Sequence, residues 1–458
     1  MKTVIIDIDS LRADQLGAYG QEQDISPNID DLSEDSKIFT NAYVAGSPSM
    51  PSRASMLYGR FPVHHHVETH GTMGQTINHP YSWSFSAKKE WDGDLKEWWS
   101  LPEALFRNGV ESCAVSSASR YPAPWMFNFW NRYIQPQEPE EDPSTFASVK
   151  AEKVVEHGLE FLEDGAEDDF FLYLQFWDPH MPMQRPEEEV EKFEDIDIPE
   201  YPTKEQIEEH QDRETKNSAV EKGVESREDL RELYAEYRAE INYVDQQIGR
   251  IIEYLKDEEL YEDSLVILTA DHGEEFGEHG VYQEHWSTNE KIQKIPLLVK
   301  PPEKDPDQEE FDDLVSNVDL APTVLNYLDL QEPRKWQGRS LKPLIEEENF
   351  DWREFLVMDH GLHTAQKAIR DGKWKVIQTL HPGDFGKNLQ EMQLYNVEED
   401  PFEQENLALE RSKLVEKLKT KMDLWREQRM HGSDPLKKVE ERGPAGYRYL
   451  EHGFQEDP

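Results

Sequence analysis

A single cysteine, Cys113, stands in a chain of 458 residues, so no disulfide within the chain contributes to its fold. Positive charge is also scarce: 49 Lys and Arg face 96 Asp and Glu, for a formal net charge of −47. Such a chain repels nucleic-acid backbones and anionic membranes, and an anionic substrate must be met locally by a metal or a few placed cations. No run of ~18 apolar residues occurs, which argues against a membrane span. The opening Lys2-Thr3-Val4-Ile5-Ile6-Asp7-Ile8-Asp9 lacks the apolar core and cleavage site of a signal peptide and reads as a strand, so a cytoplasmic location is expected. Apolar residues make up 36% of the chain, against a usual ~45–50%. Even so, 12 Trp, 18 Tyr and 19 Phe exclude wholesale disorder. The surplus acid therefore belongs on a solvated surface of a halophilic kind, where salt relieves self-repulsion.

The length suits two or three domains of ~100–200 residues. Three apolar runs end in polar residues: Thr3 to Ile8 before Asp9, Phe170 to Phe176 before Asp178 and His180, and Leu265 to Leu268 before Asp271-His272. Near-continuous apolar strands of this kind fit a buried parallel sheet. Between them, Leu230, Leu233, Tyr234, Tyr237, Ile241, Val244, Ile248, Ile251 and Leu255 follow helical spacing, with Ser226 and Asp229 as a capping pair. Alternating strands and helices predict an α/β domain whose ligands lie outside the carboxyl ends of the strands, so the three polar ends belong to one site. Residues 186–225, rich in acid, read as a solvated insertion that folds over the site or hangs from it. Beyond about residue 350, Phe355 to Met358 and Ala368 to Ile377, turning at Asp371-Gly372, predict a small antiparallel sheet. A helix from about Leu407 to Arg426 should pack on it. These features divide the chain into a catalytic α/β domain (1–345), a small α+β subdomain (346–430) and a tail (431–458) without a core-forming period.

In Ser49-Met50-Pro51-Ser52-Arg53, a hydroxyl lies one helical turn before a guanidinium. A nucleophile at a helix N-terminus beside an arginine suits an anionic tetrahedral ester, though the same spacing fits an N-capping serine with a surface arginine. With Gly59-Arg60-Phe61-Pro62, this stretch resembles the sulfatase signature, a Cys or Ser followed by x-Pro-Ser-Arg and then Gly-Arg-x-Pro. Other segments resemble the same family in order: Asp9-Ser10-Leu11-Arg12-Ala13-Asp14, Asp178-Pro179-His180, Asp271-His272-Gly273-Glu274, and Leu394-Tyr395-Asn396 through Asp400-Pro401 and Asn406-Leu407. The resemblance spans roughly residues 1–420 and implies an alkaline-phosphatase-like fold, with a large mixed sheet flanked by helices and a smaller C-terminal antiparallel sheet plus helix.

The resemblance further implies that Asp9, Asp271, His272 and Ser49 hold one divalent cation, Ca²⁺ by family, with Mn²⁺ the chemical rival because an imidazole suits it better. It implies that Ser49 is the nucleophile, oxidised to formylglycine by a serine-type maturation enzyme or acting as the plain alkoxide. Arg53 would neutralise charge on nucleophile and ester, and His180 would contact the ester or protonate the leaving oxygen. Two departures stand out. The family frequently has a second Asp where this chain has Ser10. Two family lysines are also missing: Val115-Ser116-Ser117-Ala118-Ser119-Arg120 supplies neither the Lys nor the His of one segment, and His285 aligns with the other Lys. His285, His70 or Arg120 would have to compensate. The expected activity is hydrolysis of a small-molecule or sugar sulfate monoester. The alternatives are a phosphonate monoester or phosphodiester hydrolase, and a non-catalytic protein that binds anionic ligands.

Overall fold

The computed structural model describes residues 1–67, 69, 95–116, 124–136, 150–165, 169–213, 218–304, 306–347, 350–383, 385 and 389–444. His70, Arg120 and the last part of the tail lie outside the described residues. Eight strands form the large sheet, in the order Glu309–Phe311, Lys37–Phe39, Leu297–Lys300, Ser264–Ala270, Lys2–Ile8, Phe170–Phe176, Glu111–Ser116 and Arg132–Ile134. The five from Ser264–Ala270 to Arg132–Ile134 run parallel, while Leu297–Lys300 is antiparallel to both neighbours, which makes the sheet mixed. Val4, Ile5, Leu172, Leu174, Ile267 and Leu268 are sealed in its core, as expected for strands covered on both faces.

The predicted long helix is present as Arg227–Asp257, and Ser226 caps it by accepting the backbone N–H groups of Glu228 and Asp229. Its apolar face packs against helix Ala151–Gly165 and the sheet. Register does the rest: Ile8 pairs with both Phe176 and Ala270, so the three strands end level and deliver Asp9, Trp177-Asp178 and Asp271 to one edge.

The second sheet has the order Met392–Asn396, Trp374–His381, Ala365–Asp371, Phe355–His360 and Gly46–Ser47. The first three pairings are antiparallel, with Gly372 at φ +55° supplying the left-handed turn between Asp371 and Trp374. The fifth strand comes from far upstream: Gly46 and Ser47 pair in parallel with Asp359 and His360. Val415, Leu418, Met422 and Trp425 of helix Ser412–Arg429 cover this sheet. That helix starts five residues after the expected Leu407, whose backbone N–H is bound to Leu394 instead.

Two expectations change. The 186–225 insertion is not simply solvated. It contains the helices Glu187–Val190, Lys204–His210 and Ala219–Lys222, and it docks on the Glu275 to Glu284 hairpin. There His210 Nδ1 meets the Tyr282 hydroxyl at 2.8 Å, Arg213 donates to the His279 carbonyl at 2.6 Å and Lys222 donates to Gln283 at 3.2 Å. Its few apolar residues, among them Phe193, Ile207, Ala219 and Val224, are buried in the main core, and polar side chains complete the docking. In the tail, helix Pro435–Arg442 buries Leu436 and Val439 against Ala365, an apolar pair too short to register as a period.

Candidate active site

Ser49 opens helix Ser49–Tyr58 and is 4% exposed. The strand Gly46–Ser47 fixes the approach to it. Ser47 Oγ accepts from Gln293 Nε2 at 2.7 Å and lies 2.8 Å from His360 Nδ1, which ties the segment leading to Ser49 to the second sheet. Ser49 Oγ stands 3.2 Å from His272 Nε2. The tautomer follows from the other nitrogen: Nδ1 of His272 is 2.8 Å from the Gly273 carbonyl, which can only accept, so Nδ1 carries the proton and Nε2 offers its lone pair. Burial, reinforced by neighbouring His285, holds His272 well below the ordinary histidine range. The following Gly273 has no room for a side chain, because a Cβ would lie 2.1 Å from the Lys291 carbonyl oxygen.

Asp9, Asp271 and His272 converge, each offering one donor atom within 4.8 Å of the others, and all three are buried. Ser10, at φ +59°, turns the chain so that its N–H donates to Asp271 at 3.1 Å and its hydroxyl to Asp9 at 3.2 Å. It therefore supports both carboxylates from the position where the family often has an Asp. Tyr237 fastens this turn, donating to the Ser10 carbonyl at 2.7 Å and accepting the Arg12 N–H at 2.9 Å.

Arg53 is placed differently from expectation. It is 1% exposed, and its nitrogens face Asp7 at 2.8 Å, Asp9 at 3.1 Å and Asp271 at 2.9 Å. The 2.9 Å contact is an ion pair without hydrogen-bond alignment, so Asp271 Oδ2 still lacks a donor. Asp7, which sequence reading passed over as part of a strand, is fully buried; it also accepts from the Tyr173 hydroxyl at 2.5 Å, and its Oδ1 has no partner. Three carboxylates against one guanidinium leave this cluster two negative charges in excess. Burial pushes Asp7 above the ordinary carboxylate range and Asp271 well above it; Asp9 repels both, and Arg53 opposes the rise.

Two more histidines line the site. His180 presents Nδ1 to the Met181 carbonyl at 2.7 Å, leaving Nε2 free of that bond, and its ring centroid is 5.5 Å from that of His285. The His285 ring lies 4.0 Å from that of His272. Burial would lower His285, but the Glu274 carboxylate, 3.5 Å from Nδ1, outweighs it and raises the imidazole to about 9. At that separation the pair is electrostatic rather than hydrogen-bonded. Glu274 closes the Asp271-His272-Gly273-Glu274 segment, and the sequence alone assigns it no role of its own.

Unbonded buried oxygens, an excess of two negative charges and a neutral imidazole lone pair together fit a divalent cation. The donor set, two carboxylates and an imidazole with the Ser49 oxygen beside them, is a sound one for such an ion.

Comparison with known proteins places the chain in a family. The sulfatase family model matches residues 2–330, and the C-terminal model of N-sulphoglucosamine sulphohydrolase matches residues 277–428. An arylsulfatase of Clostridium perfringens is 23% identical over 456 residues, covering 88% of this chain and 89% of that enzyme. Among solved structures, one in complex with its substrate D-glucosamine-2-N,6-O-disulfate superposes with a TM-score of 0.75 at 17% identity, over 95% of this chain and 99% of the other. The phosphonate monoester hydrolase of Agrobacterium radiobacter gives 0.72 at 19% identity, over 93% and 96%. With most of its length matched by the family model and its fold shared with these structures, the chain belongs to the sulfatase family.

Proposed function

We propose that this sulfatase hydrolyses a sulfate monoester of a sugar or other small alcohol, with position 49 as the nucleophile. The observation that carries the reading is the convergence of Ser49, Asp9, Asp271 and His272, from three distant segments, in a buried cluster short of two positive charges. Asp9, Asp271 and His272, with the oxygen at position 49, would hold one divalent cation. The imidazole favours Mn²⁺ over the family's Ca²⁺. Such an ion supplies Lewis-acid polarisation of an ester oxygen and a lowered pKa for the attacking hydroxyl.

The chain's own groups divide the remaining work. Ser49 stands at the positive end of a ten-residue helix, where an anionic ester is electrostatically favoured. As formylglycine hydrate, position 49 has two hydroxyls. One attacks sulfur while the ester oxygen leaves as the alcohol. The second then loses its proton, the aldehyde re-forms and sulfate departs. A plain serine lacks that second hydroxyl and would leave a sulfated enzyme to be cleared by water. His180, oriented through Nδ1, presents Nε2 to the leaving oxygen, to which its imidazolium form would donate a proton. His285, positively charged beside Glu274, supplies the cation that a lysine provides elsewhere in the family. The substrate class follows the sugar sulfate bound by one structural relative.

Mass spectrometry of the native peptide containing Ser49 is the direct test: loss of two hydrogens and labelling by a hydrazide are expected, together with turnover of an aryl sulfate. A phosphonate monoester hydrolase is the second reading. The imidazole in the donor set favours it, as does the fact that, among the described residues, no lysine hydrogen-bonds or ion-pairs with Asp9, Ser49, Asp271 or His272. Faster turnover of an aryl phosphonate monoester than of the matching sulfate, with Ser49 unmodified, would establish that reading instead.

A further inference from the structure

Asp7 is an anomaly of placement. It lies at the next-to-last position of strand Lys2–Ile8, between Ile6 and Ile8, and is wholly shielded from water. A buried carboxylate is costly unless it is paired and hydrogen-bonded, and an apolar side chain would fill such a position at no electrostatic cost. It is not one of the convergent donors, which are Asp9, Asp271 and His272. Alternation along the strand puts it on the same face as Asp9, one step deeper. A carboxylate that the family frequently carries at position 10 is absent, and a carboxylate stands at position 7 instead, where it grips Arg53.

Arg53 makes three contacts of unequal consequence. Its Nη1 and Nη2 face Asp271 and Asp9, the carboxylates proposed to hold the cation. A guanidinium free to move toward them would compete with that ion for the same oxygens. Its Nε is bound by Asp7 Oδ2 at 2.8 Å, and the same oxygen accepts the Tyr173 hydroxyl at 2.5 Å. Two donors on one oxygen fix the carboxylate, and the carboxylate fixes the guanidinium. The remaining oxygen, Oδ1, is buried without a partner, so the arrangement is retained despite a polar atom left unsatisfied.

We infer that Asp7 and Tyr173 form a positioning pair that tethers Arg53 and cancels its charge, keeping Asp9 and Asp271 available to the cation. The inference rests on the metal-centre reading above. Arg53 then stiffens the two ligands from beneath, with its charge shared by Asp7 instead of falling wholly on Asp9 and Asp271. Neither Asp7 nor Tyr173 touches substrate or metal; both act through Arg53.

The test is calorimetric titration of the metal-stripped full-length protein with Mn²⁺ and with Ca²⁺, alongside melting temperatures with and without saturating ion. Asp7→Asn keeps the shape and removes the charge; its affinity for the preferred ion should fall about 10- to 100-fold, the usual effect of losing a partner behind the ligands. Tyr173→Phe keeps every charge and removes one hydrogen bond; a fall of about fivefold is expected from a bond of ~1 kcal/mol. In both variants the rise in melting temperature on adding ion at a fixed concentration should shrink. Should Asp7→Asn fold poorly, Tyr173→Phe carries the test alone. Wild-type affinity in both variants, with melting temperatures lowered equally in the presence and absence of ion, would make the pair merely structural and overturn the inference. A loss confined to Asp7→Asn would overturn the tether. A wild-type chain that binds neither ion is a different result, and it would remove the metal centre itself.

Discussion

Two buried charge clusters share the 271–290 segment, and they are built to opposite rules. Asp271 and His272 join Asp9, Asp7 and Arg53 in a group short of positive charge. A few residues on, Glu275, His279 and Glu290 join Glu403, Lys375 and Arg370 in a group where three acids meet three bases. There Lys375 bridges Glu290 at 3.2 Å and Glu403 at 3.0 Å, Tyr43 donates to Glu290 at 2.6 Å, and His279 pairs with Glu275. Burial would raise Glu290, yet Lys375 and its neighbours hold it below the ordinary range, whereas Asp271 under similar burial stays well above. Glu403 also rises under burial, with Lys375 opposing, so the balance is local and imperfect. The second group behaves as a clamp between the second sheet and the 275–290 segment, its charges balanced within the chain although Glu275 Oε2, Glu403 Oε1 and Arg370 Nη1 lack hydrogen-bond partners. The first waits for something from outside. A shortage of charge in a buried cluster marks a site, and a closed account marks a scaffold.

That contrast can be broken by substitution. Ser49→Ala should lower sulfate ester turnover about a thousandfold or more while leaving the melting temperature unchanged. A variant retaining near wild-type turnover would separate position 49 from the chemistry. The clamp should respond in the opposite sense: Lys375→Met strands two buried carboxylates and should cost about 3–5 kcal/mol of stability, read by denaturant unfolding. A loss of turnover without a loss of stability would make Lys375 part of the site. Chelation sharpens the same division. Stripping the ion from protein equilibrated with free ion at 100 times the dissociation constant should remove about 2.7 kcal/mol of apparent stability. The same loss should occur in a Lys375→Met background, since the two clusters would be energetically separate.

A smaller effect is expected from pH. Burial lowers His279 but Glu275 raises it to about 9 from an ordinary 6.5, so the folded chain holds a proton that the unfolded chain releases earlier. Its contribution is complete below pH 6.5 and is lost as pH rises through 9. His285 carries the same shift, so His279→Gln should flatten part, and not all, of the decline in melting temperature over that window. The smallest effect concerns the exterior. If the 96 acids mostly face solvent, the melting temperature should climb with ionic strength at low to moderate salt, and a flat profile would count against a halophilic surface.

The large sheet was legible because its strands are apolar runs with chemistry at their ends, and because Asp371-Gly372 can hardly be anything but a turn. The site positions came from motif resemblance, and the structure brings Asp9, Ser49, Asp271 and His272 together. Other features escaped because their causes are not local. Gly46-Ser47 is a strand only because Asp359 and His360, some three hundred residues away, offer it a partner. The insertion docks through scattered apolar residues such as Phe193, Ile207 and Val224 and through polar His210, Arg213 and Lys222, a mixture that no hydrophobic period reveals. Asp7 did leave a trace: an acid inside Val4-Ile5-Ile6-Asp7-Ile8 violates the pattern that identifies the strand, and violations of that kind repay pursuit.

The pairing of Gly46-Ser47 with Asp359-His360 also sets an order of events during synthesis. The stretch leading to Ser49 cannot find its sheet partner until the chain has been extended past residue 360, and at about 5–20 residues per second that delay is on the order of 15 to 60 s. Through that interval the serine's neighbourhood lacks the contacts that later enclose it. An enzyme that oxidises Ser49 in an open peptide would have a window whose length the ribosome sets and whose closing the last third of the chain performs.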